Sequence, residues 1–493
     1  MPDPSDSLPS ESLADGLETQ KPSRLLWWLH PKVALPLLLL GLLLVAPFLY
    51  RGYRIASIPD IGDPFDVEAF GTVDIAPADN AMTQYAIAAK LIVNRTHPNE
   101  DLDKALDGGW EQTSEPVRKW LDDNQTALAE WRKGTERSQA VLFQPKDLRI
   151  DTRIESIPEI RELTQLARLQ VERCLHEEDH VAAWEWLRAA IRANRHVPQH
   201  GFLIQRMFGA STHSDAAQGI ARWAAHPDVT AELLQKALSD YHAAEQLTTA
   251  NSVTLKYEYC IFRNLLLHEN ELQEFLVKEG IGSLWFRPRG RFVSGEPAYS
   301  LRIVQHIYRN LLSEIDKPPR DRAPLAAGIR HLYDLPSGAI PSLPARELEW
   351  RARSGDFVNY FAPDYTTTNI AMQREAARRA AVSLLLACQL HHRLHGDWPA
   401  KVEDLVPDIL AEPPADPLGK AGELMRIRRE GHPLLKRDSD RLVIYSIGPN
   451  GVDDGGMISS KGGHDGADEG DYLAPPATRA NSSSSESKPS EQP

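Results

Sequence analysis

The stretch Val33–Tyr50, VALPLLLLGLLLVAPFLY, constrains this chain most, because it carries no charged side chain. At about 1.5 Å of helical rise per residue, it is close to the minimum that crosses a bilayer core roughly 30 Å thick. Pro36, Gly41 and Pro47 are tolerated in transmembrane helices. Trp27 and Trp28 precede the run, and Tyr50 and Tyr53 lie at its end, where amphipathic rings favour the headgroup level. A cleaved signal peptide is the rival. The long polar leader, the length of the run and the lack of a small-x-small junction before Arg51 favour a retained signal anchor.

Lys21, Arg24 and Lys32 precede the run, whereas Arg51 and Arg54 follow it. This bias favours a cytoplasmic N-terminus. The expectation is therefore a single-pass protein of the bacterial inner (cytoplasmic) membrane, with lipid contact through residues 33–50 and an extracytoplasmic body. A chain of 493 residues has room for two to four structural units. Its formal net charge of −14 argues against a broad nucleic-acid surface, which would need clustered Lys and Arg. Cys174, Cys260 and Cys388 lie far apart in apolar, helix-like stretches without CxxC spacing, so buried free thiols are expected.

The pattern divides the chain into a polar tail (1–32), the anchor (33–50), an N-terminal helical region (55–150), an α-helical hairpin body (151–335), a loop-rich connection (336–368), an α+β module (369–474) and a Ser/Pro/Glu-rich tail (475–493) expected to be disordered. The fold class is mainly α. Helical pieces are expected around Met82–Val93 and Pro116–Gly134. Two stripes with three- and four-residue steps follow. The first is Leu163, Leu166, Ala167, Leu169, Gln170 and Cys174; the second is Ala183, Trp184, Leu187, Ala190, Ile191 and Asn194. Further helices are expected over Phe202–Ala225, Thr230–Leu247, Tyr299–Ile315 and Arg320–Tyr333. The succession resembles a tetratricopeptide-type α-hairpin array, without a strict repeat. Thr368 is placed as the cap of a helix over Asn369–His395 that Gly396 ends. A short helix at Val402–Val406 and a β-hairpin from Leu424–Arg429 and Arg441–Ile447 complete the expectation.

The phrases HGDWPAKVEDLVPDIL, EPPADPLGK, RIRRE and LVIYSIGPNGVDDGG follow in order over about residues 370–473. Taken together they resemble the C-terminal part of the major pseudopilin of type II secretion. Three departures stand against a whole pseudopilin. Leu418 follows D-P where the family usually has an aromatic. No prepilin processing signal precedes Val33. More than 300 residues separate the anchor from the module. The resemblance therefore implies a borrowed module. It also implies a calcium loop, whose acidic ligand falls on Asn450, with Asp453 and Asp454 beside it and Asp465, Asp468 or Asp471 in the later positions. Clustered carboxylates and carbonyls can supply the oxygens that calcium takes. A solvated Asp/Gly stretch is the plainer alternative.

His176-Glu177-Glu178-Asp179-His180 matches H-E-x-x-H, a zinc signature when both imidazoles share one face of a continuous helix. Here the motif reads as a polar turn between helices, and its two variable positions are acidic. His391, His392 and His395 include an i, i+4 pair, but their place in the last helical turn suits the helix C-terminus. Ser211, His213 and Asp215 form a triad only if geometry unites them. No nucleotide-binding fingerprint or G-x-S-x-G is present. The resulting expectation is a noncatalytic anchored interaction or scaffold protein with a protein partner, linked to envelope assembly or secretion. A membrane-bound zinc hydrolase using HEEDH is the alternative.

Overall fold

The computed structural model describes residues 31–93, 99–152, 157–278, 295–322, 365–428, 442–447, 453, 455 and 472–473. The expected 336–368 connection lies outside these residues except for 365–368, which are helical; the 475–493 tail and most of the helix expected over Arg320–Tyr333 also lie outside them. Helix α1 (Pro31–Ala56) is long and apolar enough to cross a membrane, and none of its residues is buried. It runs beyond the uncharged core through Arg51 and Arg54. It ends where the Ser57 hydroxyl donates to the Arg54 carbonyl at 2.6 Å.

The N-terminal region holds α2 (Val67–Phe70), α3 (Ala81–Ala89), α4 (Asn99–Gly108), α5 (Glu115–Asp123) and α6 (Gln125–Thr135). Asp66 and Asn80 cap α2 and α3 through their side-chain oxygens. The one helix expected over 116–134 is broken at Asn124. This residue is fully buried. Its Oδ1 accepts from the Val93 amide at 2.8 Å, and its Nδ2 donates to the carbonyls of Val93 and Trp120. An amide side chain that replaces main-chain partners interrupts a helix that apolar spacing alone would continue.

The body follows as α7 (Ile157–His176), α8 (His180–His196), α9 (Leu203–Ala224), α10 (Ala231–Glu245), α11 (Asn251–Leu267), α12 (Glu269–Lys278) and α13 (Ala298–Glu314). Both expected stripes are the inward faces of α7 and α8, with only Gln170 less than fully buried. Thr230 caps α10, its side chain accepting from the Leu233 amide. The apolar, helix-like stretch around Cys260 is α11. Its bounds are not given by periodicity, because the polar Thr254, Glu258 and Asn264 are buried along with Tyr257, Tyr259, Cys260, Ile261 and Phe262.

Helix α14 (Tyr365–His395) starts earlier than expected, so Thr368 lies inside it and is not its cap. Gly396 ends it, with φ at +81°, and its amide donates to the His392 carbonyl. Val402–Leu405 forms a 3-10 turn. Strands β1 (Arg426–Arg428), β2 (Val443–Ser446) and β3 (Tyr472–Leu473) make a small antiparallel sheet in that order. Ile427 stands opposite Ile444.

Helix α14 packs on α9 and α10. Leu384, Leu385 and Cys388 therefore share one core with Trp184, Ile220, Trp223 and Leu234 from the body, and with Val402 and Ile444 from the module. The indoles of Trp184 and Trp223 lie 4.8 Å apart. Burying each large apolar side chain in such a core contributes about 1.5–3 kcal/mol. All three cysteines are free and buried, as expected. Burial pushes the Cys260 thiol up to about 12 and raises that of Cys388 further, so neither is poised as a nucleophile.

Candidate functional site

The chain leaving α1 is fastened to the body. Arg302 on α13 donates to the carbonyls of Ile55 at 2.9 Å and Ile58 at 2.8 Å. His306 meets the Pro59 carbonyl at 3.0 Å, and Arg309 donates to that of Ile61 at 3.3 Å. Asp63 takes the guanidinium of Arg263 at 3.1 Å and the hydroxyl of Tyr259, both from α11. Arg54, in the last turn of α1, lies 4.0 Å from the centroid of the Tyr299 ring. Carbonyl oxygens along residues 55–61 thus meet a row of side-chain donors, Arg302, His306 and Arg309, spaced about one helical turn apart.

A second cluster joins the body to α14. Glu375 of α14 pairs with Arg195 of α8 at 2.5 Å, with Arg379 at 3.2 Å and with Arg206 of α9 at 3.5 Å. Glu245 of α10 pairs with Arg195 at 3.0 Å and with Arg379 at 2.9 Å. Arg195 and Glu375 are almost fully buried. Burial alone would raise the Glu375 carboxyl. The guanidiniums of Arg379, Arg195 and Arg206 outweigh it and hold that group far below the usual carboxylate range. Charges taken out of water are costly unless paired. Here three guanidiniums share two carboxylates, and the shared pairs link α8, α9, α10 and α14.

In the module, the Asp416 carboxylate is completely buried and accepts from four groups. These are Arg426 at 2.9 Å, the Ser446 hydroxyl at 2.6 Å, the Ile447 amide at 2.8 Å and the Leu418 amide at 2.9 Å. The D-P-x-G and S-x-G phrases therefore meet through one aspartate. Of the residues expected at a calcium loop, only Asp453 is described; Asn450, Asp454, Asp465 and Asp468 lie outside the described residues. Asp453 receives Arg426 at 3.0 Å, the Tyr445 hydroxyl at 3.2 Å and the Gly455 amide at 3.0 Å. A guanidinium thus already occupies part of its acceptor capacity.

A cleft of about 400 Å³ opens where the end of α13, the start of α11, α14 and the Asp416 loop meet. Asn251, Lys317, Arg322, Asn369, Gln373 and Lys420 are among the residues that line it. Asp316 on its wall accepts from the Ser252 amide at 3.0 Å. Arg322 donates to Asn369 at 2.9 Å, and Lys317 pairs with Glu314 at 2.7 Å. The walls therefore offer amides and cations beside the Asp316 carboxylate.

The HEEDH segment is a hairpin turn, as its acidic composition suggests. Helix α7 ends at His176, Glu178 takes a left-handed φ of 57°, and Asp179 caps α8 through a 2.9 Å bond from the Ala182 amide. His176 and His180 accordingly sit on two different helices. His180 meets His226 and Asp228, which follow α9. Sequence reading passed over this trio because Pro227-Asp228 reads as a helix breaker and a long stretch of chain separates it from His180. The other histidines divide. The rings of His391 and His395 lie 4.5 Å apart, while His392 stacks on Trp398. His213 is buried against the Tyr241 hydroxyl at 3.3 Å, and Asp215 pairs with Arg168 at 3.1 Å, so Ser211, His213 and Asp215 do not form a relay.

Asp416, Glu375 and Arg195 are the residues that sequence reading did not single out. The only signal for Asp416 is its place in D-P-x-G; nothing local marks the other two. Comparison of the chain with family models, with curated proteins and with solved structures finds no match.

Proposed function

We propose that this protein is a membrane-anchored, extracytoplasmic interaction or scaffold protein that presents a helical body to a protein partner close to the bilayer. The observation that carries this reading is the fastening of residues 55–63 to α11 and α13 by Arg263, Arg302, His306 and Arg309. An anchor followed by a free tether would let the body diffuse about. A hydrogen-bonded strap instead supports a body held next to the lipid surface. The slight excess of cations before the span supports a cytoplasmic N-terminus in a bacterial inner membrane.

The short connections between α7, α8, α9 and α10 support the tetratricopeptide-like reading of the body. The meeting of D-P-x-G and S-x-G at Asp416 supports a pseudopilin-like module, and with it a role linked to envelope assembly or secretion. The cleft beside Lys317, Arg322 and Lys420 suits an acidic peptide segment rich in hydrogen-bonding groups. Calcium at the loop after Ile447 belongs to the same proposal; it predicts that calcium raises the unfolding midpoint of the full chain relative to chelator, and an unchanged midpoint rejects it.

The test of the main reading is site-specific photo-crosslinking in intact membranes. A crosslinker replacing Gln373 is expected to trap one defined protein, which Lys420→Glu weakens, whereas a crosslinker at exposed Val181 does not trap it. Repeated capture of nothing at Gln373, or equal capture at both positions, overturns the reading.

A further inference from the structure

We propose that His180, His226 and Asp228 form a site for a divalent transition-metal ion of the zinc class. One ligand atom from each lies within 4.8 Å of the others. The rings of His180 and His226 are 4.3 Å apart, and Asp228 Oδ2 is 3.6 Å from His226 Nδ1. Donors about 2.0–2.1 Å from a tetrahedral zinc stand roughly 3.3 Å from one another. The present separations close to that geometry by rotation of His226 and Asp228, whose side chains are 37% and 69% exposed. The turn releases the long 3.4 Å bond that the Asp228 amide donates to His226 Nδ1.

His180 supplies the second, independent observation. It is only 7% exposed, and neither ring nitrogen finds a hydrogen-bond partner in the described structure. A buried imidazole without partners carries an uncompensated desolvation cost, which a bound ion would offset. The surrounding main chain is fixed. The Trp223 indole donates to the His180 carbonyl at 2.9 Å. Arg393 of α14 reaches across to the carbonyls of His226 at 2.8 Å and Val229 at 3.1 Å. Both ligand-bearing turns are therefore held before an ion arrives.

Two imidazoles and one carboxylate favour zinc over calcium, which prefers an all-oxygen shell. The open side around Asp228 leaves a fourth position for water. A cation at the start of α8 faces the positive end of that helix, and the carboxylates of Asp179 and Asp228 offset this.

The test uses the full chain in detergent, loaded with zinc and dialysed against a weak chelator. One zinc per chain is expected in the wild type and in a His391→Ala/His395→Ala variant, which removes the other close histidine pair. Losing even an outer-shell partner weakens metal affinity by roughly 10–100-fold, so His226→Ala, which removes a ligand at an exposed position, is expected to weaken retention by at least about 10-fold. Asp228→Asn is expected to weaken it in the same direction. Cobalt in place of zinc should give visible d–d bands that His226→Ala abolishes. Absence of chelator-resistant zinc, or retention unchanged in His226→Ala, overturns the proposal. So does loss of zinc in the His391→Ala/His395→Ala variant alone.

Discussion

The two ends of the described chain are fixed to the same body in different ways. The strap after α1 is held by cations that donate to main-chain carbonyls at a partly exposed edge. Helix α14 is held by a dry apolar seam with a desolvated ion lattice at its centre. Water can replace much of the first set of bonds when one is lost. It cannot reach Arg195 or Glu375, so in the second set the loss of one partner strands the others. The ion lattice therefore links the helices of the body to α14, whereas the strap sets how closely the body follows α1.

The largest effect expected from this contrast is that of Glu375→Ala. It leaves Arg195 and Arg206 buried without their shared carboxylate, and a loss of about 3–5 kcal/mol is expected from denaturant unfolding of the full chain. A loss below about 1 kcal/mol would show that the seam is apolar only. Next comes Asp416→Ala, which removes a completely buried acceptor with four donors. Roughly 2–4 kcal/mol is expected, since each stranded buried group costs about 1–3 kcal/mol. Limited proteolysis should then cut the module before the body, and simultaneous cutting would contradict the ranking.

Acidification discriminates further. His196 is held down to about 3 by burial first and then by Arg192, while its Nδ1 meets the Tyr85 hydroxyl at 2.7 Å. A group with a lowered folded pKa gives its stability in full above its unfolded value, about 6.5 for His. That contribution drains away as the pH falls from there towards 3. Glu375 adds to the loss below about pH 4.3, the unfolded value for Glu. Glu258 has the opposite sign, because burial pushes it up to about 7 while it accepts from the Leu203 amide at 2.7 Å. Its proton is bound more tightly in the folded chain, so its contribution is lost as the pH rises from about 4.3 to 7. Glu258→Gln should therefore stabilise at pH 8 relative to pH 5, by about 1–3 kcal/mol. An equal effect at both pH values would sink this assignment.

The smallest effect is expected for Arg302→Ala. Two charge-assisted bonds to carbonyls go, but solvent is near, so global stability should fall by only about 1–2 kcal/mol. Hydrogen exchange should quicken over residues 55–61 and leave α14 unchanged. Faster exchange in α14 as well would mean that the two attachments are coupled.

Much of the layout was legible in the sequence because it depends on local patterns. An uncharged run has one low-cost fate next to lipid, three- and four-residue stripes define α7 and α8, and Gly396 supplies the left-handed residue that ends α14. The hairpin turn at Glu177–Asp179 was legible as well, since an acidic run cannot continue a buried stripe. The helix break at Asn124 was not, because it depends on Val93 arriving from elsewhere in the chain. The early start of α14 escaped because Tyr365-Thr366-Thr367-Thr368 carries no apolar stripe and Thr368 before Asn369 reads as a cap. The bounds of α11 escaped because polar residues such as Thr254, Glu258 and Asn264 are buried in it along with the apolar ones, which blurs the period.

The sequence by itself determined that this protein carries one bilayer-length apolar helix and a mainly helical body, because helix length and amphipathic spacing are properties of neighbouring residues. Only the tertiary structure decided that α14 belongs to the same core as the body, that Glu375 meets Arg195 and Arg206, and that His180 faces His226 and not His176. Those pairings join residues far apart in the chain: they follow from which helices pack together, and the buried charges of Glu375, Arg195 and Arg206 are retained there because they face one another.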